Sequence, residues 1–358
     1  MTRGDRYKVL CLILGVVVLV YVIRDATNTG GGDRDMFFSR RVLRGQSFDS
    51  TDHLEVKKPN ELIRMDKNVP IIWIGGVPRS GTTLSRAILD AHPDIRCGEE
   101  TRVIPRMLFM HSKMQMSQIE KARLDEAKVT EDVLEYALGS YILSIIVKHG
   151  EPAARLCNKD PFTLKSMDLI MKIFPQSKFI LMIRDGRAVA HSIVTRKITI
   201  SGFDTKTYSG ALRDWNRAIQ VMYRKCLKMS HVCMPLWYEQ LVIDPEPQMR
   251  KVLKFLDIPW NDIVLHHEQT IGKEGGISLS KRERSTDQVN KPVNTDALYK
   301  WIELMPKSVK DNAGSIAPML KDLGYDPDNP IVNYGTKSDD AVAKEVAVLQ
   351  TLTDDQDS

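Results

Sequence analysis

The sequence contains no Asn-x-Ser/Thr acceptor for N-linked sugar, no internal repeat, and no compact group of histidines and cysteines at metal-ligand spacing. Its eight histidines are scattered, so no resident metal is expected. A strong charge bias is also missing: 51 Lys and Arg face 46 Asp and Glu, a formal net charge of +5. That mild excess fits an anionic cofactor and acidic partners, although ordinary surface lysines would give it too. A nucleic-acid partner is not expected. Cysteine is sparse at five residues, and Cys11 lies in an apolar run, which leaves an even four. In an oxidising compartment those four can form two disulfides; four buried free thiols are the alternative.

Within 358 residues, 42% of them hydrophobic, one large α/β domain is expected rather than two small ones. The chain is organised around Val69 to Glu100, VPIIWIGGVPRSGTTLSRAILDAHPDIRCGEE. Val69 to Ile74 reads as a buried strand, Gly75 to Thr82 as a loop, and Thr83 to Ala91 as a helix with Leu84, Ala87, Ile88 and Ala91 on one face. A strand, a glycine-rich turn and a helix N-terminus form an anion cradle. The loop nearly spells a nucleotide-binding P-loop, but Thr82 follows Gly81 where the lysine belongs. Arg79 is the substitute cation. Without that lysine, and without a second acidic magnesium motif, a kinase or GTPase is disfavoured.

PRSGTTL at Pro78 to Leu84, followed by HPDIRCGEETR at His92 to Arg102, resembles the phosphosulfate-binding loop and catalytic turn of the tyrosylprotein sulfotransferases. The resemblance runs to about Asn333. It implies a P-loop-like sulfotransferase fold, a central mainly parallel sheet flanked by helices, with the ligand at the strands' carboxyl ends. It implies 3′-phosphoadenosine 5′-phosphosulfate as sulfonate donor, with no metal, and acidic tyrosine-containing proteins as acceptors. Arg79, Ser80, Gly81, Thr82 and Thr83 would hold the donor's 5′-phosphate end. Glu100 would be the general base; the residues alone do not separate it from Glu99. The resemblance also implies the disulfides Cys97–Cys157 and Cys226–Cys233, and a homodimer.

Further along, Asn158, Lys159 and Asp160 precede Pro161 at a strand-to-helix turn. Taken alone Lys159 reads as a surface lysine, whereas the resemblance makes it a transition-state lysine. KFILMI at Lys178 to Ile183 is a second buried strand. It delivers Arg184 to its carboxyl end, and Ser192 and Arg196 share a helix face beyond it. The bland reading pairs Arg184 with Asp185; the resemblance makes Arg184, Ser192 and Arg196 the 3′-phosphate contacts. Tyr238, after a short apolar strand, is carried over as a nucleotide contact, with a buried core tyrosine as the alternative.

The polar run Ser285, Thr286, Asp287, Gln288, Val289, Asn290, Lys291, Pro292, Val293 and Asn294 is by resemblance a cofactor-covering loop, in which Ser285 meets the sulfonate; Lys300 would be a further phosphate contact. A polar surface loop is the reading from residues alone. Arg102, Val103, Ile104, Pro105 and Arg106 form the expected peptide-recognition stretch, with surface salt bridging as the alternative.

Val9 to Ile23 is fifteen uncharged residues behind Arg3, Arg6 and Lys8. A helix of that length spans about 22 Å, short of a roughly 30 Å hydrocarbon core, so flanking residues would snorkel. The expected organisation is a cytoplasmic tail at 1–8, a signal anchor at 9–23, a lumenal stem at 24–68, the catalytic domain at 69–336, and an acidic tail at 337–358. A cleaved signal peptide is the rival to the anchor. Membrane anchoring in the Golgi with the enzyme lumenal follows from the positive leading flank and the resemblance. Two other functions stay open: a Golgi carbohydrate sulfotransferase using the same donor, and a nucleotide-binding scaffold that transfers nothing.

Overall fold

The computed structural model describes residues 53–58, 61–150, 153–273, 275–280, 283, 285–290, 293, 295–328 and 334. The expected cytoplasmic tail, anchor and acidic tail lie outside these residues, as do most of the stem and Lys291, Pro292 and Asn294.

Chain order begins with β1 (Leu54–Lys58) and β2 (Glu61–Met65), an antiparallel pair in which Leu54 faces Met65. These residues fall within the stem expected at 24–68. Met65 is nevertheless buried and Leu54 packs against the main core, so the catalytic unit is edged by this hairpin.

Then come β3 (Ile71–Gly76), α1 (Thr82–Asp90), β4 (Ile95–Cys97) and α2 (Val103–Met116). They are followed by α3 (Gln118–Glu126), α4 (Glu131–Lys148), β5 (Arg155–Lys159) and α5 (Met167–Ile173). The second half holds β6 (Lys178–Ile183), α6 (Gly186–Thr195), α7 (Tyr208–Lys228), β7 (Cys233–Trp237), α8 (Tyr238–Ile243) and α9 (Pro245–Leu256). Two shorter helices, α10 (Thr286–Val289) and α11 (Asp296–Leu304), follow.

Strands β4, β5, β3, β6 and β7 lie side by side in that order, and every pairing is parallel. Both faces of the sheet are covered, which is why β3 and β6 are apolar without a polar face. Along β3 the side chains alternate between two cores. Ile71 and Trp73 join Phe179, Leu181, Leu138, Ile142 and Trp215 on one face; Ile72 and Ile74 join Ile180, Met182, Ile88, Met249 and Leu253 on the other. The indole Trp73 Nε1 donates to Ser177 Oγ at 2.9 Å, so this buried polar atom is satisfied.

Helix α4 begins at a Thr130 cap with Glu131 and Asp132 in its first turn. Its buried stripe is Leu138, Ile142 and Ile146, while Val133 and Tyr141 are exposed. The helix is apolar nearly all round, so its sequence does not fix which face turns inward.

From β3 the chain crosses to β4 and β5 on one side, then to β6 and β7 on the other. The carboxyl ends of β3, β5 and β6 therefore meet at the point where strand order reverses, the place where α/β sheets bind ligands.

Candidate active site

The loop after β3 turns because Gly76, Arg79 and Gly81 all have positive φ, at 151°, 79° and 94°. At Gly81 the requirement is doubled, since an added Cβ would lie 2.3 Å from Tyr238 Cδ2. Helix α1 starts directly behind it, without a capping side chain and without an acidic residue in its first turn. Its leading N–H groups and the dipole's positive end are left for an anion. Ser80 is fully buried in this loop, and its Oγ has no hydrogen-bond partner among the described residues.

Three guanidinium groups converge there. Arg79 Nε donates to Ser192 Oγ at 3.0 Å and Arg79 Nη1 bonds Ser285 Oγ; Arg184 Nη1 donates to the Arg79 carbonyl at 3.0 Å. Burial, with repulsion from Arg196 and Arg184, pushes Arg79 down to about 10. Clustered positive groups of this kind favour a multiply charged anion among them. Arg184 also lies over the Tyr238 ring, 4.4 Å from its centroid. Asp185, the alternative partner considered for Arg184, instead pairs with Arg187 at 2.9 Å. The cleft beside the loop is lined by Arg79, Thr82, Thr83, Arg184, Tyr238 and Ser285, and by the apolar Leu84, Val242, Val289 and Val293. A lining that combines charged and apolar side chains matches a nucleotide with phosphates and a flat base.

Lys159 ends β5 and is fully buried, not a surface residue. Its Nζ donates to Glu100 Oε2 and to Glu283 Oε2, both at 2.9 Å. Glu283 in turn accepts from Thr83 Oγ1 at 3.1 Å and from the Glu100 backbone N–H at 3.2 Å. Arg102 Nε donates to the second Glu100 oxygen at 2.8 Å. The two acids of the turn therefore separate: Glu100 faces Lys159, whereas Glu99 bonds Ser278 Oγ and lies 3.4 Å from His149 Nε2. Burial pushes Glu99 up, but the Ser278 hydroxyl, backbone and nearby Arg86 and His149 outweigh it and leave it below its ordinary value.

Three supports of this turn were not singled out in the sequence. Asp160 accepts the Arg102 backbone N–H at 2.8 Å and the Thr101 hydroxyl at 3.2 Å, which holds Arg102 at φ 61°. Burial pushes Asp160 up to about 6, against hydrogen bonds from Asn158 and Arg102. Arg86, on α1, donates to the Cys97 carbonyl at 3.0 Å and to Asp90 at 3.0 Å; the i, i+4 spacing with Asp90 was its one sequence signal. Glu283 carried no local signal at all. The disulfide Cys97–Cys157 joins β4 to β5 just ahead of Glu99 and Lys159, and Cys226–Cys233 joins α7 to β7.

Other expected contacts are placed differently. Val103 to Arg106 is the first turn of α2. Ile104 is fully buried in the core, so its side chain anchors that helix and faces no ligand. Arg102 and Arg106 are exposed, while Val103 and Pro105 are half-buried. In the expected covering loop, Thr286 to Val289 form α10, Thr286 Oγ1 bonds the Ser280 carbonyl at 2.7 Å, and Val289 is buried. Asp287 and Gln288 lie within that helix, and Asn290, just past it, is exposed. Lys300 is exposed on α11.

The sheet order and the anion cradle are those of an α/β protein that binds phosphate or sulfate esters, and comparison with known proteins gives the class as sulfotransferase. Residues 70–262 match the Sulfotransferase family model, Sulfotransfer_3. The sulfotransferase domain from the Synechococcus PCC 7002 olefin synthase shares the fold at a TM-score of 0.50 and 19% identity, covering 75% of this chain and 98% of that one. Protein-tyrosine sulfotransferase 1 of Danio rerio is 54% identical over 330 residues, 91% of each chain. Protein-tyrosine sulfotransferase A of Caenorhabditis elegans is 49% identical over 349 residues, 96% of this chain and 90% of its own. The chain belongs to the protein-tyrosine sulfotransferases.

Proposed function

We propose that the protein transfers the sulfonate of 3′-phosphoadenosine 5′-phosphosulfate to the phenol oxygen of tyrosines with acidic neighbours, with Glu100 as general base. The observation that carries this reading is one hydrogen-bonded network from cradle to base. Thr83, Glu283, Lys159 and Glu100 are joined in sequence by contacts of 3.1, 2.9 and 2.9 Å.

The donor, when bound, supplies an activated sulfonate on a stable nucleotide leaving group. The residues present fit it: the orphaned Ser80 hydroxyl and the α1 N-terminus want an anion, and the apolar cleft wall suits an adenine ring. Loop amides with Ser80, Gly81, Thr82 and Thr83 hold the 5′-phosphate. Arg184, Ser192 and Arg196 hold the 3′-phosphate, and Arg184, lying over the Tyr238 ring, keeps that side chain in the nucleotide cleft. Arg79 and Lys159 by their charge, and Ser285 by its hydroxyl, stabilise negative charge as it grows on the transferring and departing oxygens. A phenol ionises near pH 10, so at neutral pH the acceptor arrives protonated, and Glu100 removes that proton during attack. Arg102 and Arg106 draw acidic side chains of the peptide to the mouth of the site.

The acceptors are secretory and membrane proteins, met by a homodimer anchored at 9–23 in the Golgi membrane with its catalytic domain lumenal. Support comes from two disulfides, which persist in an oxidising compartment, and from the basic flank of the apolar run. Transfer of radiolabelled sulfonate to an acidic tyrosine peptide, with its phenylalanine analogue as control, tests the reaction. Label on both peptides, or on neither, overturns it.

A further inference from the structure

Glu283 reaches the catalytic turn, the phosphate-binding helix and the buried lysine at once. Its Oε2 accepts from Lys159 Nζ and Thr83 Oγ1, and its Oε1 from the backbone N–H of Glu100. Lys159 is fully buried and lies at the same 2.9 Å from both carboxylates. In so dry a setting a lysine paired with one carboxylate alone would bind it tightly, because the attraction is little screened. A second carboxylate at equal distance divides that attraction. We propose that Glu283 is a positioning residue for the reaction: it shares Lys159 with Glu100, so that Lys159 grips Glu100 less tightly and Glu100 keeps its pull on the phenol proton, and it fixes the backbone of the turn that carries it. This rests on Glu100 being the base.

The role needs a charged group, and Glu283 is one. Burial pushes its carboxyl up, but Lys159, the Glu100 amide and Arg86 outweigh burial and hold it below its ordinary value. The charged groups facing the pair are Lys159 from β5, Asp160 just after it, Arg86 from α1, and Arg102 from the turn itself. Glu283→Gln keeps shape and removes charge. Lys159 then turns wholly to Glu100, and a negative neighbour is lost; both changes favour the ionised base and weaken its pull on a proton.

The test is steady-state sulfonate transfer from pH 5 to 9 with an acidic tyrosine peptide, run on wild type, Glu283→Gln and Glu283→Asp. In Glu283→Gln we expect kcat to fall by about tenfold, within the range of general-base effects, and the acid limb of the kcat profile to move to lower pH. The Kd for 3′-phosphoadenosine 5′-phosphate should stay within about threefold, because that ligand is held by the loop and the arginines rather than by Glu283. Glu283→Asp retains the charge, so its acid limb should stay at the wild-type position even where kcat drops. An unmoved acid limb in Glu283→Gln overturns the proposal, as does retained kcat. A parallel loss of kcat, nucleotide binding and melting temperature in both variants, with no movement of the limb, also overturns it by showing a structural role only. If wild type itself transfers no sulfonate, the functional reading fails, which is a separate outcome.

Discussion

Arg102 Nε lies 2.8 Å from Glu100 Oε1, so an exposed guanidinium covers the oxygen of the proposed base that Lys159 does not hold. An acidic residue beside an acceptor tyrosine competes with Glu100 for that guanidinium. Arg102→Gln should therefore reduce the preference for acidic over neutral peptides by up to about fivefold, the worth of an exposed charge pair. It should also raise kcat on the neutral peptide. Reversing charge at both Arg102 and Arg106 should hurt acidic peptides far more than neutral ones; equal losses in kcat/KM would reject the assignment.

Glu100→Ala removes the base but no core atom. Turnover should fall by about 10² to 10⁴ while the melting temperature and nucleotide affinity remain near wild type. Near-normal turnover by Glu100→Ala, with Glu99→Ala inactive, would move the base to Glu99.

Gly81→Ala places a Cβ 2.3 Å from Tyr238 Cδ2 at a residue with φ 94°. Strain of that kind costs about 1–3 kcal/mol, so the melting temperature should drop. Nucleotide affinity should fall with it, because Tyr238 and the loop are displaced together. Calorimetry of both quantities checks the expectation.

Glu239 is fully buried, accepts the Asp185 backbone N–H at 2.9 Å and the Tyr325 hydroxyl at 2.9 Å, and burial raises it from 4.5 to about 7. A carboxyl raised on folding binds its proton more tightly in the native state than in the unfolded chain. Its contribution therefore declines as pH rises from about 4.5 through about 7. Glu239→Gln should flatten that part of the stability profile, measured by urea unfolding at several pH values. A wild-type slope that persists in the variant would assign it to another group.

Opening Cys97–Cys157 frees the β4 end that leads to Glu99 and Glu100, across a sequence separation of 60 residues. Cys97→Ser with Cys157→Ser should cost about 2–5 kcal/mol of stability. Turnover should fall more than nucleotide binding, since Arg79, Arg184 and Tyr238 stand on other strands.

The sequence made the strand–loop–helix at Ile71 to Asp90 legible because an unbroken apolar run, glycine placement and a helix start agree there. Lys178 to Ile183 was equally plain, being a short apolar run bounded by turns. The hairpin at 54–65 was not, because two five-residue strands rich in charge resemble linker until Leu54 and Met65 meet the core. Of the site, the residues within PRSGTTL and RCGEETR could be named from resemblance, and the structure brings Arg79, Thr83, Glu100, Lys159, Ser192 and Ser285 to one sheet edge. Glu283 could not be found that way. Its partners lie 124, 183 and 200 residues earlier in the chain, and no local pattern records a contact of that span.

The bond from Arg79 to Ser285 closes 206 residues of chain. During synthesis the phosphate cradle and Ser192 emerge first, yet Arg79 cannot reach its second hydroxyl partner until the segment bearing Ser285 has docked. A nascent chain, or one cut short ahead of that docking, would carry the five-stranded parallel sheet and an unfinished reaction centre, so catalytic competence waits on residues well beyond the last strand of that sheet.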